Sequence, residues 1–242
     1  MDSSAMLRGT VVNGPMPKRT MITKGLIEAF VKQVLDMIPA KSDKALKQFI
    51  ADLSPISAGV PEPNDPANKC YIVQDWFYCL RKYEETSLKQ NFLEFWIGTG
   101  GRHWGYLRLN PYFYDDEGKN RKVWELTHAF AYPQVRGQGI NRLYVALALA
   151  LARANQADLL VANPRHVSML ITLSDNNFKI KGGGGSAVSI KRIIKQGRTW
   201  YRSDANARRL YYAEEMRLLM QDGSLMMEKN LAHERFWQFR LR

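Results

Sequence analysis

Six residues near the middle of the chain, Gln134-Val135-Arg136-Gly137-Gln138-Gly139, follow the pattern Q/R-x-x-G-x-G/A, and the chemistry that suits this pattern is the binding of phosphate. A phosphate group needs several backbone N–H groups converging on it. Glycine removes the Cβ atoms that would hold the anion away, and a helix starting just after the loop directs the positive end of its dipole to the same point. Arg136 adds a formal charge beside that nest. A dinucleotide fingerprint fits less well, because G-x-G-x-x-G belongs after an early parallel strand and no such series opens this chain. Other chemistries lack their residues. There is no Gly-x-Ser-x-Gly elbow, neither Cys70 nor Cys79 has a histidine near it in sequence, and His103 and His233 lack ligand-spaced partners. Covalent acyl-enzyme chemistry and a metal site are therefore not expected.

The loop works only if a strand delivers it and a helix follows it. Lys122 to Ala131 reads as the strand, and Ile140 to Asn155 as a helix with Leu143, Leu147 and Leu151 on one face. Asp158 to Ala162 reads as a short strand apolar enough to be buried on both faces. Strand, loop, helix and strand make a βαβ crossover. Before it, Phe92 to Ile97 and Trp104 to Leu109 flank Gly98-Thr99-Gly100-Gly101 as a hairpin, and Asp115 to Asn120 is a second turn, giving an antiparallel meander. Ile22 to Ile38 and Asp43 to Leu53 are amphipathic helices, and Val167 to Asn177 is a further helix. Leu7 to Val12 is a candidate strand, Lys69 to Tyr83 is not typed, Ala187 to Ile194 and Phe236 to Leu241 look strand-like, and Ala207 to Met220 looks helical. Residues 182–186, Gly-Gly-Gly-Gly-Ser, are either a natural glycine loop or a linker standing in for a native loop. Residues 1–20 are a loose lead-in, and 21–242 read as one domain.

The 242 residues are 45% hydrophobic, enough to bury a core. No apolar run reaches the length of a membrane span, and the start lacks the features of a secretory signal. Two cysteines are too few for a disulfide framework and suggest ordinary half-buried residues in a reducing cytoplasm. The net charge is +12, and residues 179–242 carry 14 Lys and Arg against 6 Asp and Glu. Such a basic part is either a solvated surface or a site for nucleic acid or another anionic partner.

The segment Glu125 to Ile140, ELTHAFAYPQVRGQGI, resembles the central strand and cofactor loop of the GNAT superfamily of acyl-CoA-dependent N-acyltransferases, and the resemblance extends to Phe178. It implies an α/β fold with a mixed, mainly antiparallel central sheet, helices on both sides, and two central strands that splay apart. It also implies acetyl-CoA, or another acyl-CoA, as co-substrate and no metal. The backbone of Phe130 and Ala131 would line the pantetheine. Val135, Arg136, Gly137, Gln138, Gly139 and Ile140, with Asn141 at the helix start, would hold the pyrophosphate. Aligned on Phe178, His166 takes the place of a frequent Asn, Asn177 that of a Gly, and Leu173 that of the Tyr that usually protonates the departing thiolate. Ser174, Ser168 or a water is then the candidate acid.

Direct transfer to an amine needs a base and a donor to the thioester carbonyl. Glu125 stands where some relatives place a carboxylate base, and otherwise reads as a structural partner of a nearby cation. His128 is the second candidate base, and otherwise a packed strand histidine. Strict alternation puts Glu125, Thr127, Ala129 and Ala131 on one face and Leu126, His128 and Phe130 on the other, so Glu125 and His128 share a face only if a bulge intervenes. Trp104 and Tyr106, with Tyr112 and Tyr114, are candidates to line an acceptor pocket or to pack. The expected activity is acyl transfer from acyl-CoA to an amine. Its alternatives are an acyltransferase acting on DNA, RNA or charged tRNA through the basic part, and a non-catalytic CoA-binding module. The family's oligomeric state varies, so a homodimer is among the options.

Overall fold

Helices begin where Thr23 and Ser42 precede apolar-periodic segments. Thr23 Oγ1 accepts the N–H of Leu26 at 3.2 Å to start α1 (Lys24–Met37), and Ser42 Oγ accepts that of Ala45 at 3.3 Å to start α2 (Asp43–Ala51). Leu26, Phe30 and Val34 of α1 and Leu46 and Ile50 of α2 turn inward. The structure is a computed structural model, and it describes residues 22–39, 42–55, 59–66, 68–85, 90–111, 114–116, 119–182, 187–200 and 225–232. The expectations for 1–20, 207–220 and 236–241, and those for Tyr112, His233 and the glycines after 182, lie outside the described residues.

The untyped run after Lys69 is a hairpin of β1 (Lys69–Val73) and β2 (Trp76–Glu85). β3 (Gln90–Thr99), β4 (Arg102–Asn110) and β7 (Val123–Ala131) continue the antiparallel meander, with a small separate hairpin of β5 (Tyr114–Asp116) and β6 (Lys119–Arg121) between the last two. α3 (Ile140–Ala154) carries the chain over to β8 (Leu159–Ala162), which pairs parallel with β7. α4 (Val167–Asp175), β9 (Lys179–Gly182), α5 (Ala187–Trp200) and β10 (Met226–Asn230) complete the described chain. The eight-stranded sheet has the order β1-β2-β3-β4-β7-β8-β10-β9 and a single parallel pair, β7 with β8. It is the mixed, mainly antiparallel sheet of an α/β fold. No helix among the described residues is long and apolar enough to cross a membrane.

One face of the sheet supplies the main core. Leu93, Phe95 and Ile97 of β3, Leu107 and Leu109 of β4, and Trp124 and Leu126 of β7 join residues from all five helices in one apolar cluster. α3 is buried almost all round, from Leu143 to Ala152. Alanines there let it approach its neighbours closely, which places its N-terminus firmly.

Two sequence expectations change here. Ala187 to Ile194 is helical rather than extended, because Ile190, Ile193, Ile194 and Gly197 recur at helical spacing and pack inward, Gly197 against Val167 and Ile171 of α4. The strand β10 had no expectation. Cys70 and Cys79 are not separate ordinary cysteines: they stand directly opposite one another in the β1–β2 register, Cα atoms 4.0 Å apart, and are joined as a disulfide. Nine residues of separation gave no framework signal; only the hairpin register brings the pair together.

His103 shows how the far face is held. Its Nε2 lies 2.6 Å from the carbonyl of Pro61, so in the neutral ring that nitrogen carries the hydrogen, while Nδ1 is buried without a partner. Phe77 and Trp96 meet the ring edge-on. Burial holds His103 below the ordinary histidine value, outweighing the bond to Pro61. Its folded pKa is lower than its unfolded one, so between the two the unfolded chain binds more protons. Stability from this group is therefore lost as pH falls below about 6.5. The unfolding midpoint of His103→Phe should fall less between pH 7 and 5 than that of the parent. Comparing the two by thermal unfolding isolates His103 from Glu94 and Glu125, whose raised values act in the opposite sense. Parallel curves would remove His103 as the acid-sensitive group.

Candidate active site

The β7–β8 pairing runs from Val123↔Leu159 to Leu126↔Ala162 and stops. β7 continues for five more residues, Thr127 to Ala131, with no strand paired on that side among the described residues. The central strands thus part at the middle of the sheet and leave an open edge. Tyr132 N–H bonds the carbonyl of Trp104 on β4, so by alternation the backbone groups of Phe130 also turn to β4, and those of Ala129 and Ala131 turn to the open side. The carbonyl of Phe130 also accepts the Tyr144 hydroxyl at 2.8 Å. Of the two residues expected to line the edge with their backbone, Ala131 does so and Phe130 does not. Ala129 takes its place.

The edge leads directly into the loop. A 3-10 turn at Pro133–Val135 follows β7; Gly137 and Gly139 then take φ of 82° and 92°, where L side chains are strained. Gly139 is the N-cap of α3 and no side chain caps that helix, whose first turn has no acidic residue. Its leading amides, those of Ile140 and Asn141, are left to an anion. Arg136 is exposed, and its Nε donates to the Ala131 carbonyl at 3.1 Å, joining loop and edge. Gln138 faces inward instead: its carbonyl holds the N–H of Ile22 at 3.0 Å and fixes the start of α1. Val135 is buried in the core. Asn141 Nδ2 donates to Ser168 Oγ at 3.0 Å, binding the start of α3 to the start of α4.

Positive charge gathers here. His166 is the N-cap of α4. Desolvation of its ring, then Arg136 and Arg165, push its pKa down, although its outer edge is open to solvent. Arg165 was not singled out in the sequence, where nothing distinguishes it from any loop arginine. Ser174 lies about 9 Å further along α4 than Ser168. It is half-buried, and no described contact joins it to the loop. Leu173 is fully buried in the main core.

Beside the open edge, a bulge changes the expected faces. Arg108 pairs with His128 and Leu109 with Leu126, so Thr127 is an extra residue on β7, its hydroxyl donating to the Arg108 carbonyl at 3.3 Å. Glu125 then stands opposite Asn110 and shares the non-core face with His128 and Phe130. The strict alternation that separated Glu125 from His128 is broken at Thr127.

That face is aromatic and charged. Tyr106 stacks on His128 and on Phe130, each at 5.5 Å between ring centres, and tilts against Trp96 at 5.0 Å. Trp104 is elsewhere: a second bulge, at Ile97/Gly98, makes it the extra residue of β4, and its ring packs at 4.4 Å against Trp76 inside the main core. It is a core residue rather than a lining one. Arg108 and Glu94, both missed, form the centre of the face. The signal available was a single carboxylate inside the otherwise apolar run Phe92 to Ile97.

Burial raises the pKa of Glu125. Burial, Arg108 and Arg165 lower that of His128. Protonation of Glu125 removes a poorly solvated charge, whereas protonation of His128 adds one next to two guanidinium groups. Of the two, Glu125 is the better resting place for a proton taken from a substrate.

No family model matches the chain, and no curated protein matches it. Among solved structures it is similar to the crystal structure of Rv2747 from Mycobacterium tuberculosis in complex with CoA and NLQ, with 14% identity and a TM-score of 0.32 over 87% of this chain and 97% of that one.

Proposed function

We propose that the chain is an N-acyltransferase that moves an acetyl or other acyl group from acyl-CoA directly to an amine. The observation that carries this is the unpaired end of β7 running without a break into the Gln134–Gly139 turn and the uncapped start of α3. An open strand edge offers backbone hydrogen bonds to the two amides of pantetheine. The loop amides, with Arg136, suit the pyrophosphate at the other end of the same ligand. The GNAT resemblance of Glu125 to Phe178 supports the same assignment.

In the proposed reaction Ala129 and Ala131 bind the pantetheine arm and hold the thioester beside the non-core face. Glu125 takes the proton of the attacking amine, directly or through water. Leu173 offers no proton to the departing thiolate, and a thiolate is a tolerable leaving group near neutral pH, so Ser168 or water suffices for it. Isothermal calorimetry with acetyl-CoA is the direct test. The parent should bind. Arg136→Glu and Gly137→Glu should weaken binding by 100-fold or more on the order expected for charge reversal at an anion site. Binding without CoA release in the presence of amines would point to the non-catalytic alternative, and no binding by the folded parent would sink the proposal.

A further inference from the structure

The register aligns Arg81, Glu94, Arg108 and His128 as direct neighbours across β2, β3, β4 and β7. Within the ladder one carboxylate stands between two guanidinium groups, and Asp65, outside it, acts on Arg81 as well. Glu94 is fully buried and its oxygens are engaged: Oε2 accepts Nε and Nη2 of Arg108 at 3.1 and 2.8 Å, and Oε1 accepts Trp96 Nε1 at 2.7 Å. Arg81, only 3% exposed, keeps its Nε buried without a partner. Arg108 lies on the ring of Tyr83, 3.5 Å from its centre, with 13% of its side chain exposed. Among the described residues its Nη1 has no hydrogen-bond partner. Arg108 thus combines a guanidinium fixed by Glu94 and Tyr83 with one accessible donor for an incoming anion.

We propose that Arg108 binds a carboxylate of the acceptor, so that the acceptor is an amino acid or another amine with a carboxylate close to its nitrogen. This rests on the acyl-transfer proposal above. The placement fits: Arg108 and His128 face each other on adjacent strands, and Tyr106, which stacks on His128, also lies under the Arg108 guanidinium, 5.8 Å from ring centre to Cζ. A small acceptor held by its carboxylate on Arg108 therefore keeps its amine on the face that carries His128 and Glu125. The charge fits too. Burial, then the field of Arg108 and Arg165, lowers the pKa of His128, and the same surroundings favour the neutral, nucleophilic form of an amine and repel a purely cationic acceptor. The acceptor's carboxylate offsets that repulsion.

The test is CoA release at saturating acetyl-CoA, with each proteinogenic amino acid compared with its own carboxamide, and with spermidine as an acceptor lacking a carboxylate. At least one amino acid should exceed its carboxamide by about 100-fold in kcat/KM, as expected where a site is built to pair a substrate group. With that amino acid Arg108→Gln should raise its KM by about 10- to 100-fold while the KM for acetyl-CoA stays unchanged, and Arg108→Lys should recover part of the loss. Arg108→Gln leaves Glu94 uncompensated, so the paired variant Glu94→Gln/Arg108→Gln, which keeps a neutral contact, guards against simple unfolding. Carboxamides or spermidine used as well as the acids would overturn the inference, as would an unchanged KM in the folded paired variant. Calorimetry separates the two levels. Acetyl-CoA binding without acylation of any amino acid overturns this inference alone, whereas no acetyl-CoA binding removes the acyl-transfer proposal and this inference with it.

Discussion

Glu125→Gln should lower kcat by about 10²- to 10³-fold, the usual contribution of a positioned general base, and leave the KM for acetyl-CoA unchanged. His128→Gln should cost less than about tenfold by the same measure. The reason lies in what each group becomes on taking the proton. Glu125 is half-buried and its charge is poorly solvated, so the neutral acid is favoured. His128 would become an imidazolium within the field of Arg108 and Arg165. Because the Glu125 value lies above the ordinary carboxylate value, kcat/KM should rise with pH through a limb above about 4.5. That limb should be missing in Glu125→Gln. If instead His128→Gln removes the limb and Glu125→Gln keeps full turnover, the assignment of the base is wrong and belongs to His128.

Gly105→Ala should destabilise the fold by roughly 2–4 kcal/mol, from overpacking together with a lost buried hydrogen bond. A Cβ at Gly105 would lie 2.0 Å from the Phe130 carbonyl oxygen, 2.6 Å from the Tyr144 hydroxyl and 3.0 Å from the Ala131 Cα. Two of these three atoms are backbone, and the third is the hydroxyl that donates to that same carbonyl. None can give way without moving the end of β7. The consequence reaches function, because Gly105 pairs with Ala131, the residue whose other side is the open edge. A fall in the thermal midpoint of about 5–15 °C is expected, given the chain length, together with weaker acetyl-CoA binding. Gly25→Ala is the control: nothing lies within 4 Å of a Cβ there, and in a helix alanine is the better former, so its midpoint should hold or rise. An unchanged midpoint in Gly105→Ala would mean that β4 and β7 do not approach as described.

Local rules and long-range rules divided this protein between them. The sequence determined α1, α2 and α3 nearly to the residue, because each has a 3.6-residue apolar stripe and the first two have side-chain caps. It determined the β3–β4 hairpin through its glycines, and the Gln134–Gly139 turn through Gly137 and Gly139, whose positive φ values are what glycine is for. These are properties of neighbours in the chain. α5 was misread because a run of β-branched residues imitates a strand, and only packing of Ile190, Ile193 and Gly197 against α4 selects the helix.

What only the tertiary structure decided is which residues share a face. A single extra residue, Thr127, reverses the alternation of β7 and brings Glu125 to the side of His128, and no local pattern announces a bulge. The second bulge takes Trp104 into the core and leaves Tyr106 on the charged face. The Arg81–Glu94–Arg108–His128 ladder joins four strands, and the Cys70–Cys79 pair joins two, through register alone. The open edge is likewise a matter of where β8 stops pairing. Loop and helix chemistry is written in adjacent residues. Contacts across a sheet depend on register, which is set by hydrogen bonding and packing between distant segments.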